Sequence, residues 1–189
     1  MLLPKYTFFS IRGIPKRFKV TDVVDTAFPE GDWRNPENIL YDQFPVEPYL
    51  GDSEVMAYKY RASATGVYVT LFRSESLLIF RLSFWASDAD VELCATLINT
   101  MLRKHRRACL YKGQQQLPCL TDEDVRRMQA ERRKYLKRLL VKREPFDMEG
   151  FQRDVSVLSI KPMSALGLAE NVSMLRQRLV DEQWVNRDD

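Results

Sequence analysis

Residues 66–107 read GVYVTLFRSESLLIFRLSFWASDADVELCATLINTMLRKHRR, which is the most clearly patterned part of the chain. After the glycine, β-branched and aromatic side chains alternate over 67–72, a pattern typical of a strand that is at least partly covered on both faces. A polar break of hairpin length at 73–76 separates this strand from a second alternating run at 77–85. We therefore predict an antiparallel hairpin. The residues expected to face the core from its second strand are Leu78, Phe80, Leu82 and Phe84.

A helix is predicted to follow this hairpin directly. Ser87 is a good N-cap, and Asp90 stands three residues later, as in a capping box. Apolar residues then recur at spacings of three and four, which gives one stripe suited to packing on a sheet. The stripe consists of Val91, Cys94, Leu97, Ile98, Met101 and Leu102. The basic run at 103–107 suits the carboxyl end of the helix dipole.

Together these elements predict an α+β fold, with an antiparallel sheet of about four to five strands and helices packed on one face. Apolar patterns predict further strands at 6–12 and 55–62, a short strand or extended link at 108–111, and helices at 21–28 and 121–142. Thr121 and Asp124 form a second capping box at the start of the last of these helices. Residues 31–53 and 112–117 are predicted to be irregular, because they are polar or rich in proline.

Pro145 marks a soft boundary within the chain. We expect a main α+β domain at 1–144 and a C-terminal strand–helix extension at 145–189. The extension comprises a strand at 154–161 and a helix from Ser164, and it is expected to pack on the same domain. The apolar seam of its helix leaves self-association as an alternative.

Composition indicates a globular protein, since 45% of the 189 residues are hydrophobic and 11% are aromatic. There is no run of about 18 or more apolar residues, so we expect no membrane span. The three cysteines, Cys94, Cys109 and Cys119, share no metal or redox spacing. We interpret them as reduced thiols of a cytoplasmic protein.

No catalytic signature stands out in the chain. The chain has a single histidine, His105, which excludes a multi-histidine metal site. Because it lies among arginines, we interpret it as a surface bystander without a catalytic role. Cys94 lies on the apolar helix stripe, which favours burial over catalysis. The densest group of carboxylates is Asp22, Asp25, Glu30 and Asp32. A carboxylate- or metal-dependent enzyme therefore stays open as an alternative, and no cofactor is expected.

Charge is strongly segregated along the chain despite a net charge of only +3. Residues 101–144 carry fourteen Lys and Arg against five Asp and Glu, a net of +9. Residues 20–54 carry nine acids against Arg34, a net of −8. The two segments could face each other or be solvated, and exposed ion pairs contribute little to stability. They could equally contact a partner.

We expect a non-catalytic protein-interaction module of the inhibitor, toxin-neutralising or adaptor type, which binds a protein through this charge-segregated surface. The alternative is a nucleic-acid-binding protein that uses the basic helices at 102–143. The expected partner contacts are Asp32, Trp33, Glu37 and Asp42 in the acidic segment, and Arg126, Arg127, Arg132, Arg133, Lys134, Lys137 and Arg138 on the basic helix.

Overall fold

The computed structural model describes residues 6–27, 39–43, 53–60, 67–83, 86 and 88–136. These residues form seven strands and three helices. In chain order the elements are β1 (Tyr6–Arg12), α1 (Asp22–Ala27), β2 (Ile39–Gln43), β3 (Ser53–Tyr60), β4 (Val67–Phe72), β5 (Leu77–Ser83), α2 (Asp88–Lys104), β6 (Cys109–Lys112), β7 (Gln115–Leu117) and α3 (Asp122–Leu136). The predicted α+β class is confirmed.

All seven strands belong to one sheet, in the order β2-β3-β4-β5-β1-β6-β7. Every neighbouring pair is antiparallel. The predicted count of four to five strands was wrong, because β2 and β7 form within segments expected to be irregular. Both are short, and β7 is a polar Gln-Gln-Leu run without apolar alternation. Strand pairing, rather than local pattern, therefore decides these two elements.

The core lies between one face of the sheet and α2. On the strands, the fully buried side chains include Phe9, Ile11, Val69, Leu78, Phe80 and Leu82. The register places Phe80 directly opposite both Phe9 and Val69, so these three side chains form one layer of the core. The predicted helix stripe is buried from Val91 to Met101, while Leu102 is partly buried against it. Burying each such side chain stabilises the fold by about 1.5–3 kcal/mol.

Helix α2 contacts β3, β4, β5 and β6, and both α1 and α3 contact α2. Helix α3 begins at the predicted capping box. The Thr121 hydroxyl accepts a hydrogen bond from the Asp124 amide at 3.1 Å, and the Asp124 carboxylate accepts one from the Thr121 amide at 3.0 Å. The predicted C-terminal extension, the continuation of α3 past 136, Phe84 and Ser87 all lie outside the described residues.

Candidate functional site

Two segments that are far apart in sequence meet where β1 ends. Arg12 pairs with Cys109 of β6 in an antiparallel ladder. The residues that follow Arg12 therefore lie beside the residues that precede Cys109. Gly13 has a left-handed φ of 81°, and a Cβ atom added to it would lie 2.5 Å from the Arg107 carbonyl oxygen. Only a residue without a side chain fits this approach. The loop after β1 is therefore held against the turn after α2.

Two aromatic rings fix this junction. The Phe18 and His105 rings meet edge to face, with centroids 5.5 Å apart and an angle of 90° between the planes. Such edge-to-face contacts are a favoured aromatic geometry. Local hydrogen bonds close both turns, from Phe18 N to Pro15 O at 3.0 Å and from Ala108 N to His105 O at 2.7 Å. Phe18 itself is buried in the core.

The junction brings together two groups of cations, which we call the basic end. It consists of Lys16, Arg17, Lys19, Lys104, Arg106 and Arg107, all exposed. None of the six forms an ion pair with another residue that the structure describes. Asp22 is near in sequence, but its carboxylate accepts a hydrogen bond from the Lys19 backbone amide at 2.8 Å. Among the residues that the structure describes, the basic end thus brings together six exposed cations without an ion-pair partner.

Arg132 requires a correction, because it was expected to contact a partner. Its side chain is only 2% exposed. It donates hydrogen bonds to the carbonyl oxygens of Ser83 at 3.2 Å and Leu82 at 3.5 Å, and to the Thr7 hydroxyl at 3.4 Å. Burial lowers the pKa of Arg132 to about 10, so it stays charged at neutral pH. Arg132 therefore ties α3 to the end of β5 and to β1 instead of facing solvent.

Other cations of α3 have partners within the fold. Arg133 donates from Nε to the Asp88 carboxylate of α2 at 2.8 Å, and Arg127 is paired with Asp124. Arg126 and Lys134 are exposed. Of the remaining predicted partner contacts, Asp42 lies in β2, and its side chain is not described. The rest lie outside the described residues: Asp32, Trp33, Glu37, Lys137 and Arg138.

His105 is not the surface bystander that its basic neighbours indicated. It is partly buried against Phe18, and its Nε2 atom is buried without a hydrogen-bond partner in the described part of the chain. Burial lowers the pKa of His105 below its ordinary 6.5, and the charge of Lys104 lowers it further. The imidazole is therefore neutral at pH 7 and acts as a packing group.

Sequence reasoning did not single out the sheet face opposite the core. There the Arg81 guanidinium lies 4.7 Å from the centroid of the Tyr6 ring and 4.4 Å from that of Tyr68. The Arg12 guanidinium lies 5.1 Å from the centroid of the Tyr111 ring. The alternation of YTFFSIR was the available signal, since it places Tyr6, an exposed phenylalanine and Arg12 on one face.

An open groove of about 640 Å³ lies between α2 and the segment that leads into α3. Asn99 holds that segment, because its side chain bonds the Leu120 backbone in both directions, at 2.7 and 2.9 Å. Glu92 and Arg103 are among the polar residues that line the groove. Glu92 accepts a hydrogen bond from Gln129 at 3.0 Å, and Arg103 donates one to Thr100 at 2.8 Å. These polar side chains therefore already have hydrogen-bond partners within the fold.

The described residues contain no group of three or more His, Cys, Asp or Glu that could hold a metal ion. All three cysteines are free thiols, and burial raises the pKa of Cys94 to about 12. In the same residues no helix combines the length and the apolar character needed to cross a membrane. Comparison with protein-family models, curated proteins and solved structures gave no significant match.

Proposed function

We propose that this chain is a non-catalytic binding module that holds a polyanionic partner at the basic end. The observation that carries the proposal is the contact between Gly13 and Arg107, which joins six exposed cations from two sequence clusters. A partner with closely spaced negative charges complements such a surface. Acidic protein segments and nucleic-acid phosphates both have this chemistry.

Electrostatics supports a binding role for the basic end. Like charges held together repel one another, so the cluster costs the isolated fold some stability. An incoming polyanion removes this repulsion and is attracted over about 10 Å at ordinary ionic strength. Charges already paired within the fold, such as Arg133 with Asp88, offer a partner much less. The basic end is therefore a better candidate for partner contact than the basic face of α3.

The chemistry of the described residues supports a role without catalysis. Cys94 is protonated, because burial raises its thiol pKa to about 12, and a thiol is a poor nucleophile. His105 has its ring against Phe18 rather than beside a nucleophile or an orienting carboxylate. Three free thiols also fit the proposed cytoplasmic location, where disulfides are rare.

Binding to a fluorescent polyglutamate peptide tests the proposal at about 50 mM and about 200 mM salt. The variant R17Q/R106Q/R107Q removes three charges from the basic end. The control R126Q/R127Q/K134Q removes three charges from α3. We expect about a tenfold loss or more for the first variant and less than about threefold for the control. An equal loss in the two variants would overturn the assignment to the basic end. The proposal itself would fail if neither polyglutamate nor a single-stranded oligonucleotide bound at the lower salt concentration.

A further inference from the structure

The sheet face next to the basic end carries an exposed aromatic residue. Phe8 is 52% exposed, whereas its neighbour Phe9 is 1% exposed on the core side of the same strand. Phe8 is the sole exposed large hydrophobic residue in the part of the chain that the structure describes. An isolated exposed apolar residue is common on protein surfaces and needs no explanation by itself. The inference rests on its surroundings.

Phe8 is part of an ordered row of rings and guanidinium groups. In the sheet register Phe8 lies opposite Arg81, and Arg81 lies opposite Tyr68. The Arg81 guanidinium is close to the rings of both Tyr6 and Tyr68, and the Tyr6 and Phe8 centroids are 5.9 Å apart. Cation–π contacts of this kind hold the rings in fixed positions. Tyr68 is only 1% exposed, so Phe8 is the solvent-exposed edge of this row, which we call the aromatic platform.

The platform leads directly to the basic end. Arg12 points to the same face as Phe8, because the two residues are four positions apart on one strand, about 13 Å at the usual rise of a strand. Its guanidinium lies over the Tyr111 ring of the neighbouring strand. The next residue, Gly13, contacts the backbone of Arg107. Along the chain, an exposed aromatic ring is therefore followed by an aromatic–cation pair and then by the loop that carries the first cations of the basic end.

We propose that Phe8, Arg12 and the basic end together bind single-stranded nucleic acid, with a base stacked on Phe8 and phosphates bound by Arg12 and the basic end. The inference rests on the proposed function and names the class of its partner. A single strand alternates flat rings with phosphates, and proteins bind it by combining aromatic platforms with positive surfaces. A duplex keeps its bases stacked inside, and an acidic peptide offers no ring between its charges. The surface therefore fits a single strand best.

The test is fluorescence anisotropy with a labelled oligothymidylate of about twelve nucleotides, a length within the usual site size of such proteins. An abasic oligonucleotide of equal length keeps the phosphates and lacks the bases. Three substitutions at one position separate stacking from simple apolar contact: F8A removes the ring, F8L keeps apolar bulk, and F8W enlarges the ring. Phe8 is exposed, so all three variants should fold.

We expect F8A and F8L to bind oligothymidylate about tenfold more weakly and F8W to bind at least as tightly as the unaltered protein. All three should bind the abasic strand as the unaltered protein does. R17Q/R106Q/R107Q should weaken binding to both strands and reduce the salt slope by about two, or about 0.7 for each lost phosphate contact.

Two results would overturn the inference and leave the proposed function standing. One is equal binding of oligothymidylate and the abasic strand by the unaltered protein. The other is unchanged oligothymidylate binding by F8A while R17Q/R106Q/R107Q still weakens binding. Tighter binding of polyglutamate than of oligothymidylate would likewise assign the surface to an acidic protein. If neither strand nor the peptide binds at about 50 mM salt, the proposed function fails together with the inference.

Discussion

Helix α3 and the basic end carry similar numbers of cations, five and six, but use them in opposite ways. In α3 Arg132 is buried, Arg133 is paired with Asp88, and Arg127 is paired with Asp124. At the basic end no side chain is paired with another described residue. Counting charge along a sequence therefore does not show which cations are available to a partner.

The difference follows from what each region lies beside. The first turn of α3 contains three acids, and its later turns pass the acidic first turn of α2. The basic end instead forms where α2 and β1 finish, beside the turn at 105–108. Carbonyl groups at the end of α2 favour nearby cations without forming ion pairs with them. Neutralisation in one region and exposure in the other both result from the topology.

The substitution expected to change the free energy of unfolding most is Arg132→Met. The substitution removes one hydrogen-bond donor from each of the carbonyl oxygens of Ser83 and Leu82, and it removes the positive charge that interacts with buried Asp90. Loss of one partner from such a buried network costs about 3 kcal/mol or more. We expect a drop of this size in the free energy of unfolding measured in urea. Arg126→Met, on the exposed face of the same helix, should change it by less than about 0.5 kcal/mol. A similar small change at both positions would refute the structural role of Arg132.

Local patterns were sufficient for the central unit of the fold. The hairpin β4–β5, the buried stripe of α2 and the capping box of α3 were all predicted, because each depends on residues a few positions apart. The role of Arg132 depends on Ser83, 49 positions away, and no local pattern encodes that contact. Its neighbours on α3 looked equally basic, so the sequence offered no way to tell them apart.

The basic end shows the same limit at longer range. Both of its clusters are visible in the sequence, but the contact that joins them through Gly13 is not. Its close approach to Arg107 becomes apparent once β1 is paired with β6. The acidic segment at 20–54 was also expected to contact a partner. Of its four predicted contacts, Asp42 alone lies within the described residues, so that expectation stays a prediction.

Gly13→Ala tests whether the close approach builds the basic end. The alanine would have to adopt a φ of 81° and place its Cβ atom 2.5 Å from the Arg107 carbonyl oxygen. Gly113→Ala is the matched control, since its φ of 62° is also left-handed but no atom lies within 4 Å of the added Cβ. We expect a loss of about 1 kcal/mol in the control and at least twice that at Gly13. Equal losses in urea unfolding would show that the contact with Arg107 contributes nothing.

His105 makes the basic end sensitive to pH. Burial and Lys104 lower its pKa in the folded state below 6.5, so at acidic pH the unfolded chain binds more protons than the folded one. Stability is therefore greatest above about pH 6.5 and falls as the pH drops below that value. His105→Phe keeps a ring against Phe18 but cannot titrate. Unfolding free energies at about pH 7.5 and pH 5.5 should differ less in this variant than in the unaltered protein. The same difference in both would assign the pH dependence to other groups.

The smallest expected effects come from two single arginine substitutions, which should change the free energy of unfolding in opposite directions. Arg106→Gln removes one charge from the basic end, which lowers the repulsion among its cations and should raise the free energy of unfolding by a few tenths of a kcal/mol at low salt. Arg133→Gln removes a charge paired with Asp88, and should lower the free energy of unfolding by about 0.5 kcal/mol. Both effects should shrink at about 1 M salt, where screening acts over about 3 Å. If Arg106→Gln were destabilising and insensitive to salt, Arg106 would have to be held by a specific contact, and the basic end would resemble α3 after all.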